Sequence, residues 1–236
     1  MFIMIDGIDG SGKSTIVQIW KDYLAGEGNA IFDLKHYWQT TGKYPELEKT
    51  RAYDFIFSCE PTYTGIGKVI REELVKIGAD YSPRAIVEAF SLDRLVLYNK
   101  IIIPLLAGGK IVIQDRGVST SLAYQHLQNP EFTYDKIAEF TGNKLALANR
   151  PDHLIIAKIP AAKAAARISN RFDKNDNAIF EKLDFLKKAA EVFYSDEYQK
   201  IFTDKGTKIH YLNAESEIDI MKQEAVDLLK KLINQA

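Results

Sequence analysis

The run Gly7-Ile8-Asp9-Gly10-Ser11-Gly12-Lys13-Ser14-Thr15 follows directly on an apolar stretch, Phe2 to Ile5. It satisfies the spacing G-x-x-x-x-G-K-S/T without a mismatch. Glycines at these positions let the backbone fold so that successive N–H groups point inward, where they bind phosphate oxygens. A helix that starts at the end of the run adds the positive end of its dipole. Lys13 is spaced to reach the β- and γ-phosphates of a nucleotide, and the Ser14 hydroxyl to ligate Mg²⁺. Gly7 through Thr15 is therefore the candidate nucleotide phosphate site. The motif by itself does not separate a kinase from a GTPase or a motor.

A second candidate lies at the end of the apolar run Lys110-Ile111-Val112-Ile113-Gln114, which closes on Asp115-Arg116. In open parallel sheets, ligands bind beyond the carboxyl ends of the strands. Asp115 would then sit beside the phosphate loop and hold Mg²⁺, directly or through water. Arg116 would clamp a phosphate with two parallel N–H bonds. Further along, Arg167 and Arg171 are four apart at the end of a helical pattern that breaks into polar residues. That stretch, 167–180, reads as a flap able to close over a bound triphosphate and bring positive charge to it.

These residues need a scaffold that brings distant segments to one edge. Short apolar runs at Phe2–Ile5, 30–34, 55–58, 110–114, 153–156 and 208–212 alternate with helical patterns. Such alternation argues for an α/β fold with a parallel sheet covered by helices on both faces. Ser82-Pro83 is a helix start, hydroxyl cap then proline, on a helix running toward Gly108-Gly109 with a bend near Pro104. Residues 217–233 carry an apolar stripe of Ile218, Met221, Ala225, Leu228, Leu229 and Leu232. The 236 residues, 46% hydrophobic and 27% charged, suffice for one self-sufficient domain spanning 1–236. A net charge of −1 gives no overall attraction to nucleic acid or anionic membranes. One cysteine, Cys59, allows no internal disulfide. There is no basic leader at the N-terminus and no apolar run long enough to cross a bilayer, so the expected setting is the cytoplasm. The four histidines show no metal-ligand spacing.

With these features in hand, the chain resembles the thymidylate kinases. Asp115-Arg116-Gly117-Val118-Ser119-Thr120-Ser121-Leu122-Ala123-Tyr124-Gln125 is similar to that family's "DRY…S…AYQ" segment. Phe90-Ser91-Leu92-Asp93-Arg94 is similar to its "F-A-x-D-R". The stretch from Glu60-Pro61 to Ile70-Arg71 resembles its "R-E-P-G-G-T…G…I-R", and Arg150-Pro151-Asp152 its run into the lid. The resemblance implies a three-layer P-loop kinase fold: a central, mostly parallel five-stranded sheet, flanking helices and a helical lid. It implies transfer of a phosphoryl group from ATP, with Mg²⁺, to dTMP, and a homodimer. By the same resemblance Phe90 stacks on the thymine ring, Arg94 bonds the base edge and Asp9 reaches the acceptor's sugar hydroxyl. Ser121 and Tyr124 contact the substrate, Arg116 aligns the acceptor phosphate, and Arg167 and Arg171 serve the lid. No basic residue lies among Ile8, Asp9, Gly10 and Ser11, so catalytic positive charge is expected from Arg167, Arg171 or Lys174.

The likeness has gaps. Cys59 and Thr62 stand where the family often has an arginine for the acceptor phosphate, leaving Arg116 alone or helped by a residue such as Arg51. Gly117 replaces the tyrosine of "DRY", which helps the family refuse a 2′-hydroxyl. Residues 35–57 read as an insertion that covers the acceptor site, makes an oligomer contact or elaborates the surface. A deoxynucleoside kinase or another monophosphate kinase shares most of these features. A nucleotide-dependent switch shares the phosphate loop but has no need of a base pocket or a lid.

Overall fold

The computed structural model describes residues 1–170 and 182–234. The apolar runs form six strands among these residues: β1 (Phe2–Asp6), β2 (Ile31–Asp33), β3 (Phe55–Cys59), β4 (Ile111–Asp115), β5 (His153–Lys158) and β6 (Lys208–Asn213). They make a single sheet in the order β2-β3-β4-β1-β5-β6, and every neighbouring pair is parallel. The five strands expected from the family are therefore six here. The shortest is β2, a three-residue edge strand that has a single partner and leads straight into the helix Leu34–Thr41.

Alternation along each strand divides the core into two. Phe2 and Met4 of β1 face one side with Ile56, Val112, Leu154 and Ile156. Ile3 and Ile5 face the other with Phe57, Ile113 and Ile155. The second side is covered by the helices Lys13–Gly26 and Ile218–Ile233. These two are locked together by the Trp20 indole, which donates to the Ala225 carbonyl at 2.8 Å. Met221, Ala225, Leu229 and Leu232 are the buried stripe, whereas Ile218, in the first turn, is exposed.

The first side is covered by helices that carry the candidate site. Ser82 caps Pro83–Leu97, its Oγ accepting from the Ala85 N–H at 3.2 Å. The helix continues through a widened turn, Tyr98–Ile102, into Ile103–Ala107. The widening falls just before Pro104, which has no N–H to donate back along the helix. Thr141–Ala148 crosses this helix closely: the Gly142 N–H donates to Ser91 Oγ at 2.9 Å, and a Cβ on Gly142 would stand 1.8 Å from the Ser91 carbonyl oxygen.

Part of the 35–57 segment belongs to the core: Trp38 is buried, and residues 55–57 lie in β3. Leu34 and Trp38 are buried and belong to the main apolar cluster. Phe32 packs edge-on against Tyr53 at 5.1 Å between ring centroids. Among the described residues no helix is long and apolar enough to cross a membrane.

Gly142→Ala should lower the thermal midpoint by several degrees. Overpacking costs about 1–3 kcal/mol, at about 2–4 °C per kcal/mol for a chain of this size. Differential scanning calorimetry checks this; an unchanged midpoint would show that the two helices can separate freely.

Candidate active site

The register of the sheet assembles the site. Ile5 lies opposite Asp115, and Cys59 opposite Asp115 on the other flank. The loop after β1, the Asp115-Arg116 pair after β4 and Glu60 after β3 thus leave the sheet at one level. Between them lies a cleft of about 710 Å³.

At one end is the glycine loop. Gly10 and Gly12 have φ of 78° and 88°, which side chains rarely tolerate. A Cβ on Gly10 would also lie 2.3 Å from the Ala164 carbonyl oxygen. Gly12 is the cap of the helix Lys13–Gly26. The buried Lys13 ammonium donates to the carbonyls of Gly7 and Ile8 at 2.9 and 2.8 Å and contacts Ser11 Oγ at 3.3 Å. Burial and the nearby Arg116 lower its pKa to about 8, against Asp9, Asp115 and Asp6. Ser11 is buried beneath the loop. Thr15 is exposed on the first helical turn and does not line the cleft.

Ser14 and Asp115 meet as expected: Ser14 Oγ donates to Asp115 Oδ2 at 3.4 Å. Asp115 Oδ1 is buried and has no hydrogen-bond partner. A hydroxyl beside an unsatisfied carboxylate oxygen, next to a phosphate loop, fits a magnesium ion that keeps several waters and phosphate oxygens in its shell.

Arg116 is the centre of the charge pattern. It holds a left-handed backbone, φ 67°, rare for a residue with a side chain. The Arg116 N–H donates to the Ile5 carbonyl, and the Gln114 side chain donates to the Arg116 carbonyl, both at 2.9 Å. Its guanidinium pairs with Asp9 and lies 3.8 Å from Asp6. Burial opposes the Arg116 charge, but Asp9, Tyr124, Asp6 and Asp115 hold it firmly protonated. Asp9 also meets the Tyr124 hydroxyl at 3.2 Å, so Asp9, Arg116 and Tyr124 form one cluster on the cleft wall. Tyr124 packs edge-on against Phe185, 5.1 Å between centroids.

Phe90, Ser121 and Tyr124 line the cleft, whereas Arg94 does not. Arg94 is 1% exposed and buried behind them. It forms an ion pair with Glu60 at 2.6 Å, donates to Ser121 Oγ at 3.0 Å and bonds Asn143. Burial pushes Glu60 up to about 7, against the pull of Arg94. Arg94 thus braces the pocket wall from behind.

Arg167 ends the helix Ala161–Ser169, and its Nη1 comes within 3.7 Å of where a Cβ would sit on Gly12. Arg171, and with it most of the 167–180 segment including Lys174, lies outside the described residues. Arg51 stays away from the cleft: it is exposed and pairs with Glu48 at 3.5 Å. At Gly117 the Met4 thioether fills the space a side chain would need, with Met4 Cε 2.4 Å from the Cβ position.

Several site residues were not singled out by motif. Asp6 is buried at the end of β1, accepting from Gly7 N–H at 2.8 Å and from Thr120 Oγ1 at 2.6 Å. Its signal was an acid closing an apolar strand. Gln125 lines the cleft with a buried, unpartnered Oε1, and it stood inside the quoted "AYQ". Arg71 lines the cleft over the Tyr63 ring at 3.9 Å.

The family model for thymidylate kinase matches residues 45–225. The chain belongs to the thymidylate kinase family. A probable thymidylate kinase from Pyrococcus horikoshii is 31% identical over 183 residues, 73% of this chain and 74% of the relative. One from Thermococcus onnurineus is 29% identical, covering 98% of this chain and 97% of the relative. A thymidylate kinase from Desulfotalea psychrophila is 26% identical over 99% and 96%. The glycine loop and the "AYQ" helix face one cleft.

Because Lys13 loses its proton as pH rises through about 8, affinity for a non-hydrolysable ATP analogue should fall above that pH. Lys13→Arg, charged throughout, should give a flat profile between pH 7 and 9, even if weaker. Titration calorimetry at several pH values reads both; parallel profiles would refute the assignment.

Proposed function

We propose that this protein transfers the γ-phosphoryl of ATP to the 5′-phosphate of dTMP, giving dTDP and ADP. The observation that carries the reading is the single cleft in which Lys13, Ser14 and Asp115 share walls with Arg116, Phe90, Ser121 and Gln125. Phosphoryl transfer needs placement and charge stabilisation more than covalent help. The backbone N–H groups of Gly10 to Ser14 hold the donor phosphates, and the Lys13 ammonium turns from the loop carbonyls to their oxygens. Ser14 and Asp115 would hold magnesium, whose chemistry is to draw negative charge from the β- and γ-phosphate oxygens. Arg116, fixed between Asp9 and Asp6, presents N–H groups to the acceptor phosphate so that its oxygen attacks in line. Phe90 offers a ring face to the base, and Ser121 and Gln125 offer polar edges. Arg167, beside Gly12, adds charge over the transferring group. Family membership sets the deoxynucleoside kinase and the switch behind this reading.

A coupled ADP-release assay across dTMP, dUMP, thymidine and TMP should give dTMP the highest kcat/KM; preference for thymidine would overturn the acceptor assignment. In the same assay Lys13→Ala should lose about a thousandfold in kcat or more, while its circular dichroism stays that of the folded protein.

The homodimer implied by the family belongs to the same proposal. Leu92, on Pro83–Leu97, and Val69, on the helix Gly65–Val69 packed against it, are 48% and 47% exposed. Sedimentation velocity should find a dimer, and Leu92→Asp should shift it to monomer; an unchanged profile would place the contact elsewhere.

A further inference from the structure

The helix Leu34–Thr41 brings two residues to the cleft that the reaction as described does not use. Lys35 and Trp38 are three apart, hence on one face, and both line the cleft. The end of β2 positions them. Asp33, the last residue of β2, lies opposite Phe57, two residues before Cys59 at the tip of β3, and the helix carrying Lys35 starts directly after it. The Lys35 charge is felt by the Cys59 thiol there.

Charge accounting singles Lys35 out. Lys13 is bonded to loop carbonyls, and Arg71 to the carbonyls of Pro61 and Thr62. Arg116 is held by Asp9 and Asp6, Lys68 by Glu72 at 3.9 Å, and Lys76 is itself engaged. Lys35 is half-buried, and its ammonium lies 5.2 Å from the centre of the Tyr63 ring. That contact is with an aromatic ring, not a carboxylate or a carbonyl, although Lys35 lines the cleft. On the same helix face is a second donor, unsatisfied. Trp38 is 1% exposed, and its indole N–H is buried without a hydrogen-bond partner. A buried donor left unpaired is costly, and a cation on the same face of the helix makes an anion the fitting partner for both.

The loop between β3 and the next helix supplies no replacement. Thr62 spends its N–H and hydroxyl on Asp93 at 2.8 and 2.7 Å, and burial pushes the Cys59 thiol up to about 12, so it stays neutral. We propose that Lys35 and the Trp38 indole N–H bind the acceptor's phosphate, making the 35–57 segment the element that selects a phosphorylated acceptor over a free nucleoside. The inference rests on the monophosphate kinase reading above. Lys35 supplies charge from the side of β3, facing Arg116 on the side of β4, and the phosphate is held between them.

The test compares wild type, Lys35→Gln, Lys35→Arg and Trp38→Phe, which keeps the ring but removes the N–H. Lys35→Gln should raise KM for dTMP about tenfold or more, as expected for a lost charge-assisted hydrogen bond. KM for ATP should stay within about twofold, Lys35→Arg should recover most of the loss, and Trp38→Phe should show a smaller rise. By calorimetry, thymidine, which lacks the phosphate, should bind wild type and Lys35→Gln alike. An unchanged KM for dTMP in Lys35→Gln overturns the proposal while the kinase reading stands. Equal loss of dTMP and thymidine binding also overturns it, since Lys35 would then only support Tyr63. A wild-type protein that phosphorylates thymidine but no monophosphate brings down the kinase reading and this inference together.

Discussion

Parallel pairing of β1 with β4 and of β4 with β3 is the constraint on which the site depends. With Ile5 and Cys59 both opposite Asp115, three loops far apart in sequence must leave the sheet at one level. The buried Asp6 carboxylate then fastens the junction. It accepts from Gly7 on its own loop, from Ser119 and Thr120 on the helix after β4, and faces the Arg116 guanidinium. Burial raises the Asp6 pKa, and the Arg116 and Lys13 charges oppose that rise. An ion buried without its partner costs several kcal/mol, on the order of 3–5, so these groups hold one another in place. The left-handed backbone at Arg116 is tolerated for the same reason, since bonds to Ile5 and Gln114 determine it from both sides.

A second buried pair stiffens the far wall. Glu60 follows β3, Arg94 sits mid-helix, and Asn143 and Ser121 close the network around the guanidinium. Gln114 links Glu60 to the Arg116 carbonyl, with bonds of 3.1 and 2.9 Å. The two charge clusters are therefore one continuous polar framework under the cleft. Side chains that line the cavity, such as Phe90 and Ser121, are held by residues that never reach it. Placement of this kind is what phosphoryl transfer asks of a protein.

The helix Leu34–Thr41 extends the same logic outward. It enters from an edge strand, sinks Leu34 and Trp38 into the core and leaves Lys35 against Tyr63. Wall and core are thus built by one short element, with Trp38 buried and both Lys35 and Trp38 lining the cleft.

Local rules made much of this legible in the amino-acid sequence alone. The glycine spacing before Lys13, the apolar strands, the Ser82-Pro83 cap and the acid–guanidinium pair after β4 all follow from backbone sterics and periodicity within a few residues, and each stands where it was expected. The meeting of Ser14 with Asp115 followed from one further rule, that ligands gather beyond strand ends. What the tertiary structure alone decided were matters of distance across the fold. The helical spacing of Phe90 and Arg94 placed them on one face, but only the packing of Glu60 and Asn143 turned Arg94 inward. The 35–57 segment carried aromatic residues whose burial depended on which strand β2 would join. Lys35 and Arg51 are equally basic in sequence, and only the folded chain sets the first on the cleft wall and the second at the exposed surface, because side-chain chemistry is local while proximity is set by the whole fold.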